Sequence, residues 1–203
     1  MIFSPISKEN PLILASSSPR RKTLLEQIGL PFRILPSHVE EEGLTGESSM
    51  ITKLFAEKKA RTVHRQSPNA WVLGADTIVV LGASRLGKPA DREEARSMLL
   101  RLSGKEHEVV TGFSLLDPSG KNVHTQAVST RVGMKALTEE EIRSYIATGE
   151  PFGKAGGYAV QGIGAFMVES ISGSYTNVVG LPVCALVKAL RAVGALRNFP
   201  LEG

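Results

Sequence analysis

The stretch from Trp71 to Val80 reads W-V-L-G-A-D-T-I-V-V. Val72, Leu73, Ile78, Val79 and Val80 are the residues of a strand buried on both faces, which points to an α/β protein with a covered sheet. Gly74 and Asp76 interrupt that run at its middle. A carboxylate inside such a strand costs on the order of several kcal/mol unless something charged meets it, so an arginine, a lysine or a cation is expected beside Asp76. The plainer reading of the same residue is an aspartate capping a turn between two strands, since Asp near Gly is common turn chemistry.

Outward from this strand, Gly82 and Gly87 bracket a tight turn, and Lys88-Pro89 follows it. Lys88 is either an ordinary surface lysine or a cation pointing back toward Asp76. Asp91-Arg-Glu-Glu94 has capping-box spacing and opens a helix through Ala95, Met98, Leu99 and Leu102 that ends at Ser103-Gly104. On the other side, composition predicts a helix from Ser48 to about Arg65. Ile51, Leu54, Phe55 and Val63 should face its core side, with Lys58, Lys59 and Arg61 opposite.

Near the N-terminus, residues 1–10 read as a loose lead-in, and Leu12 to Ala15 as a short buried strand. Ser16-Ser-Ser18-Pro19-Arg20-Arg21 then opens a helix, with Ser18 as N-cap and Pro19 in the first position, running to Ile28 before Gly29. Free backbone N–H groups, hydroxyls and the forked donors of Arg20 and Arg21 make this an anion site. A capped helix with a solvated basic turn is the alternative. Phe32 to Leu35 suggests a strand leading to Glu40-Glu41-Glu42, which is either a solvated acidic loop or the source of one carboxylate for a cleft.

Residues 108–134 read as two strands joined by the Asp117-Pro-Ser-Gly120 turn. Thr138-x-x-Glu141 is a second capping box, for a helix stopping at Gly149. The loop from Pro151 through Lys154, Gly156, Gly157 and Tyr158 to Gln161 and Gly162 is glycine-rich, so its backbone can approach a ligand closely. Phe166–Ile171 and Tyr175–Val179 suggest short strands, and Gly180-Leu-Pro182 starts the last helix.

The chain has 203 residues, a net charge of +4 and one cysteine. One domain is expected, residues 1–203, with two lobes of roughly 11–104 and 105–195 around a deep groove and an elongated mixed sheet. With one cysteine, no disulfide framework or Cys-based metal site forms within the chain, and Cys184 reads as a small core residue. No apolar run approaches the roughly 18 residues of a membrane span, and no signal peptide is evident, so a cytoplasmic setting is expected. The positive excess lacks an arginine stripe, interleaved aromatics or zinc-finger spacing, which argues against a nucleic-acid partner. It suits a cleft for a polyphosphate.

Taken together and in this order, L-A-S-S-S-P-R-R, G-A-D-T-I-V, G-K-P, R-L-S-G-x-x-H, K-A-G-G-Y-A-V-Q-G and V-V-G-L-P resemble the Maf family of nucleoside triphosphate pyrophosphatases from Leu12 to about Val193. The resemblance implies hydrolysis between the α- and β-phosphates with a divalent cation, Mg²⁺ or Mn²⁺. It also implies a homodimer and an α/β fold similar to that of inosine triphosphate pyrophosphatases. Matched residue by residue, it assigns substrate binding to Ser16, Ser18, Arg20, Arg21, Thr77, Lys154 and Gln161. It assigns catalysis to Asp76, Glu41, Lys59 and Lys88, with Glu41 and Asp76 holding the metal and Asp76 as general base. The register of Glu41 against Glu40 and Glu42 stays open by one residue, and Phe55 stands where the family usually has leucine.

S-P-R-R, G-A-D-T and V-Q-G resemble the branch acting on dTTP and UTP, which implies removal of non-standard or excess nucleotides. Arg20, Thr77 and Gln161 fall on the pyrimidine side of that division, and the Thr77 hydroxyl and Gln161 amide are the groups expected to meet a base edge or sugar. The sister branch, acting on 7-methyl-GTP, tends to carry glutamine after the aspartate and S-E-G in place of V-Q-G. A regulator of septum formation and cell division is the non-enzymatic alternative; it gives no reason to bury Asp76.

Overall fold

The computed structural model describes residues 3–39 and 45–200. Among these are seven strands: β1 (Leu12–Leu14), β2 (Phe32–Ile34), β3 (Val72–Leu81), β4 (Ser84–Leu86), β5 (Glu106–Leu116), β6 (Asn122–Met134) and β7 (Val168–Ser172). The α-helices are α1 (Pro19–Gln27), α2 (Ser48–Gln66), α3 (Arg92–Leu102), α4 (Glu139–Ala147), α5 (Tyr175–Val179) and α6 (Val183–Ala192). Hydrogen-bonded strand order is β2-β1-β3-β5-β6-β7, with β4 on β3. The sheet is mixed, as the chain pattern predicts: β1 runs parallel to β2 and β3, whereas β4 is antiparallel to β3 and β7 to β6.

The chain gathers into two compact units. The first takes the chain up to Asp76, Thr111–Val128 and everything from Gly180 onward; the second takes Thr77–Val110 and Ser129–Val179. In the first, Ile13, Ala15, Ala60, Val63, Val72 and Leu116 form one apolar cluster. In the second, α3 and α4 pack around Leu86, Leu99, Leu102, Ile142 and Tyr145. Both helices start where the sequence places caps. Asp91 Oδ1 accepts the Glu94 N–H at 2.8 Å, and Thr138 and Glu141 complete a reciprocal capping box.

Several local expectations are corrected. The buried stripe of α2 is Ile51, Thr52, Phe55, Ala56, Lys59, Ala60 and Val63, so Lys59 lies on the core side and Leu54 is exposed. Lys59 is four residues after Phe55 and therefore on the same face. The lead-in is not loose: Ile6 is buried, its N–H reaches the Ala195 carbonyl at 2.8 Å, and the Ser4 carbonyl accepts the Trp71 indole N–H at 3.0 Å. Tyr175–Val179 is a helical turn rather than a strand. Its β-branched residues suggest extension, but Ser174 accepts the Asn177 N–H on its hydroxyl. The Asn177 amide donates to the Val109 carbonyl and the Thr130 hydroxyl, pinning the turn. Cys184 is exposed, not core, because it sits on the side of α6 opposite Leu186 and Leu190. Among the described residues, no helix is long and apolar enough to cross a membrane.

Candidate active site

Two glycines place the central acid and its partner. A Cβ on Gly74 would stand 2.0 Å from the Ala56 carbonyl oxygen, and one on Gly112 would stand 2.4 Å from the Thr52 carbonyl carbon. Backbone of α2 therefore lies directly on β3 and β5, closer than any side chain permits. At that separation Lys59 delivers its ammonium to Asp76 Oδ1 at 2.6 Å, with the Ala75 carbonyl at 3.5 Å. Asp76 is 4 % exposed and Lys59 5 %. The charged partner demanded by a buried carboxylate is thus Lys59, 17 residues earlier on the helix above it.

The serine turn between β1 and α1 belongs to the same unit. Ser16, at the end of the buried strand, accepts the Ser18 N–H at 3.3 Å and the Arg21 Nη1 donor at 2.9 Å. Arg21 is buried and its Nε donates to the Gly180 carbonyl at 2.8 Å, tying the turn to the G-L-P segment before α6. Ser18 occupies the N-cap position of α1, but its hydroxyl makes no capping bond, and the first turn carries no acid. No acidic side chain of its own first turn therefore offsets the positive end of α1. Arg20, on that first turn, is half-buried.

The second unit carries Thr77, Lys88, Lys154 and Gln161. Thr77 and Gln161 are half-buried, and Lys88 is exposed. The Gly156 N–H donates to the Gly87 carbonyl at 2.8 Å, which joins the Lys88 turn to the Lys154 loop. Gly156 has φ +72°, and a Cβ there would press within 3.0 Å of Val79, so glycine is required on both counts. Lys154 donates its ammonium to the Glu150 carbonyl, and the Glu150 carboxylate accepts the Gly164 N–H at 3.0 Å. Glu150 thereby braces both sides of the loop that carries Gln161. Behind the loop, His107 Nε2 lies 2.7 Å from the Tyr158 hydroxyl. Burial lowers the His107 imidazole from 6.5 to about 4 and raises the Tyr158 phenol, Tyr145 adding a smaller push.

Glu150 and His107 escape the sequence reading. Glu150 looks like an ordinary acid after a helix, and only the glycine content of the following loop hints that something must hold it. His107 is visible solely as the last letter of R-L-S-G-x-x-H. Glu41, with its neighbours Glu40 and Glu42, lies outside the described residues. Among the described residues no group of three or more His, Cys, Asp or Glu side chains gathers as a metal cage. Asp76 supplies one hard oxygen donor. That fits Mg²⁺, which is commonly held by one or two carboxylates together with waters and substrate phosphates.

The Maf-like protein family matches residues 11–193 of this chain. A dTTP/UTP pyrophosphatase of Geobacter sp. (strain M21) is 50% identical over 94% of this chain and 100% of its own length. A dTTP/UTP pyrophosphatase of Geotalea uraniireducens is 51% identical over 91% of this chain and 96% of its own. A solved nucleoside-triphosphatase (dITP/XTP pyrophosphatase) from Mycobacterium abscessus aligns with a TM-score of 0.44 at 17% identity, covering 91% of this chain and 96% of that one.

Proposed function

Since the chain belongs to the Maf-like protein family, we propose that it is a nucleoside triphosphate pyrophosphatase that hydrolyses dTTP and UTP to the monophosphate and pyrophosphate. The observation that carries the reading is a buried carboxylate, Asp76, gripped at 2.6 Å by a buried lysine in the centre of β3. A fold stabilised for its own sake has little use for that pair, because an apolar pair of the same volume would serve as well or better.

In the reaction the oxygen of a water bonds to the α-phosphorus, its proton passes to the Asp76 carboxylate, and the bridging oxygen leaves with pyrophosphate. Lys59 holds Oδ1 and so fixes the plane of the carboxylate that receives the proton. Charge moves toward the leaving pyrophosphate as the bond breaks. Fixed cations are worth most where such charge develops, which is the part we give to Lys88 and Lys154. Ser16, Ser18, Arg20 and Arg21 form the anion-binding turn; Arg21 acts through its grip on the Ser16 hydroxyl as well as through its charge. Thr77 and Gln161 read the pyrimidine.

A divalent cation, Mg²⁺ or Mn²⁺, completes this proposal; Asp76 and, as the resemblance implies, Glu41 would hold it. It supplies neutralisation of the triphosphate charge. A homodimer is proposed on the same resemblance, and a cytoplasmic setting on the single cysteine and the lack of an evident signal peptide. The deciding experiment is pyrophosphate release from dTTP, UTP, CTP and 7-methyl-GTP, with and without Mg²⁺ or Mn²⁺. Preference for dTTP and UTP supports the reading; preference for 7-methyl-GTP assigns the chain to the sister branch. Release from none of them leaves the non-enzymatic alternative.

A further inference from the structure

We propose that His107 is a positioning residue for nucleotide hydrolysis, holding the Lys154–Gln161 loop in its working form through the hydroxyl of Tyr158. The inference rests on the proposed function in one respect, that Lys154 and Gln161 meet the substrate.

Tyr158 sits between those two residues in the chain. The residue is 5 % exposed and belongs to the apolar core of the second unit, which also includes Val79, Met98 and Met167. The loop is therefore nailed down at its centre by a large side chain pointing inward. A buried phenol needs a partner for its hydroxyl, and among the described residues that partner is His107 Nε2 at 2.7 Å, with the rings edge to face at 5.4 Å between centroids. His107 is the second residue of β5, so the anchor point belongs to a long strand rather than to another loop. The adjacent Ala159 N–H donates to the Tyr145 hydroxyl at 3.2 Å, a second tie beside the first.

The chemistry of His107 says why it is histidine. The residue is 3 % exposed, and among the described residues its Nδ1 has no hydrogen-bond partner. Burial keeps the ring neutral at pH 7, so it carries one N–H, and one of its two polar atoms goes unused. A phenylalanine there, facing a phenylalanine at 158, would fill similar space with no polar atom to bury. The single bond to Tyr158 is what the histidine contributes. A hydrogen bond fixes the direction of the Tyr158 ring, and with it the path of the loop backbone, in a way that apolar contact does not.

The test uses four variants of the whole chain: His107→Phe, His107→Gln, Tyr158→Phe and the double His107→Phe/Tyr158→Phe. Amide hydrogen exchange on the substrate-free protein reads the loop directly. His107→Phe is expected to speed exchange of the amides from Gly156 to Gln161 about tenfold, the equivalent of losing one hydrogen bond of about 1.4 kcal/mol. Exchange within β3 should not change. His107→Gln keeps an amide donor in reach of the phenol and should restore protection. kcat/KM for dTTP should fall about tenfold in His107→Phe and return to within about twofold in His107→Gln, following the same equivalence. The double variant should regain thermal stability without regaining kcat/KM. A loop whose exchange is unchanged in His107→Phe overturns the proposal. So does a His107→Gln variant no better than His107→Phe, or a double variant that recovers turnover along with stability, since each makes the pair mere packing. If the wild-type protein hydrolyses none of the nucleotides, the proposed function fails, and the exchange rates alone still decide whether His107 holds the loop.

Discussion

Replacing Lys59 by methionine isolates the interaction on which the site is built. Met fills nearly the same volume as the lysine stem but leaves Asp76, 4 % exposed, without the ammonium now 2.6 Å from its Oδ1. Breaking a buried ion pair by removing one partner costs about 3–5 kcal/mol. Total stability for a domain is typically about 5–15 kcal/mol, so the loss is a large share of it. At about 2–4 °C per kcal/mol for a chain of this size, the melting temperature should fall by roughly 6–20 °C. Asp76→Asn should cost less, because the amide oxygen still accepts from Lys59. Lys59→Met combined with Asp76→Leu should recover most of the loss, since neither charge is then stranded. Urea unfolding followed by Trp71 fluorescence reads all three; Trp71 is the sole tryptophan, lies next to β3 and is buried. A Lys59→Met protein within about 0.5 kcal/mol of the wild type, the range of an ordinary surface substitution, would refute the reasoning.

Gly74→Ala places a methyl carbon 2.0 Å from the Ala56 carbonyl oxygen, so α2 must lift off the sheet; loss of more than about 3 kcal/mol, or failure to fold, is expected in the same urea assay. A Gly74→Ala protein of wild-type stability would mean that α2 does not lie where described. His107 titrates at about 4 in the fold against 6.5 unfolded, so between these values the unfolded chain binds the extra proton and stability falls as pH drops from 6.5 to 4. Burial is the cause, with Tyr158 as its hydrogen-bonded neighbour, and the difference amounts to about 3 kcal/mol at about 1.4 kcal/mol per pH unit. His107→Phe should flatten the unfolding free energy by about that much over this window; an unchanged slope would show the imidazole to be ordinary. Arg20→Ala should weaken dTTP, UTP, CTP and 7-methyl-GTP to a similar degree, because phosphate is common to all four. Gln161→Ala should lower kcat/KM for dTTP and UTP more than for the others by a factor worth about 1 kcal/mol, and an equal loss across the panel would remove it from base recognition.

Much of the fold is legible because the local signals are unambiguous. The apolar run of β3, the caps at Asp91 and Thr138 and the Asp117–Gly120 turn each have a single physical reading. The demand for a charged partner at Asp76 is legible too, but its identity is not. Lys59 looks like part of a solvated stripe with Lys58 and Arg61, although its spacing from Phe55 puts it on the buried face of α2, where Gly74 and Gly112 let the helix lie close on the strands. Ser18 is the evident cap by residue type, yet its hydroxyl makes no capping bond, and it is the Ser16 hydroxyl that accepts from the Ser18 N–H and the Arg21 guanidinium. Tyr175–Val179 misleads for a related reason: β-branched propensity is weak against an asparagine that bonds two other segments. Long-range polar contacts such as His107 to Tyr158, 51 residues apart, leave no trace in local pattern at all.

The central claim is that the Asp76 carboxylate takes the proton from the water that splits the α–β bond. The direct measurement is pyrophosphate release from dTTP by purified Asp76→Asn beside the wild type, with the fold of the variant checked by circular dichroism and Trp71 fluorescence. A folded variant whose turnover falls by about 10²- to 10⁴-fold, the usual contribution of a general base, is the predicted result. A folded variant that releases pyrophosphate at a rate near the wild type would contradict it and return Asp76 to the role of a structural aspartate.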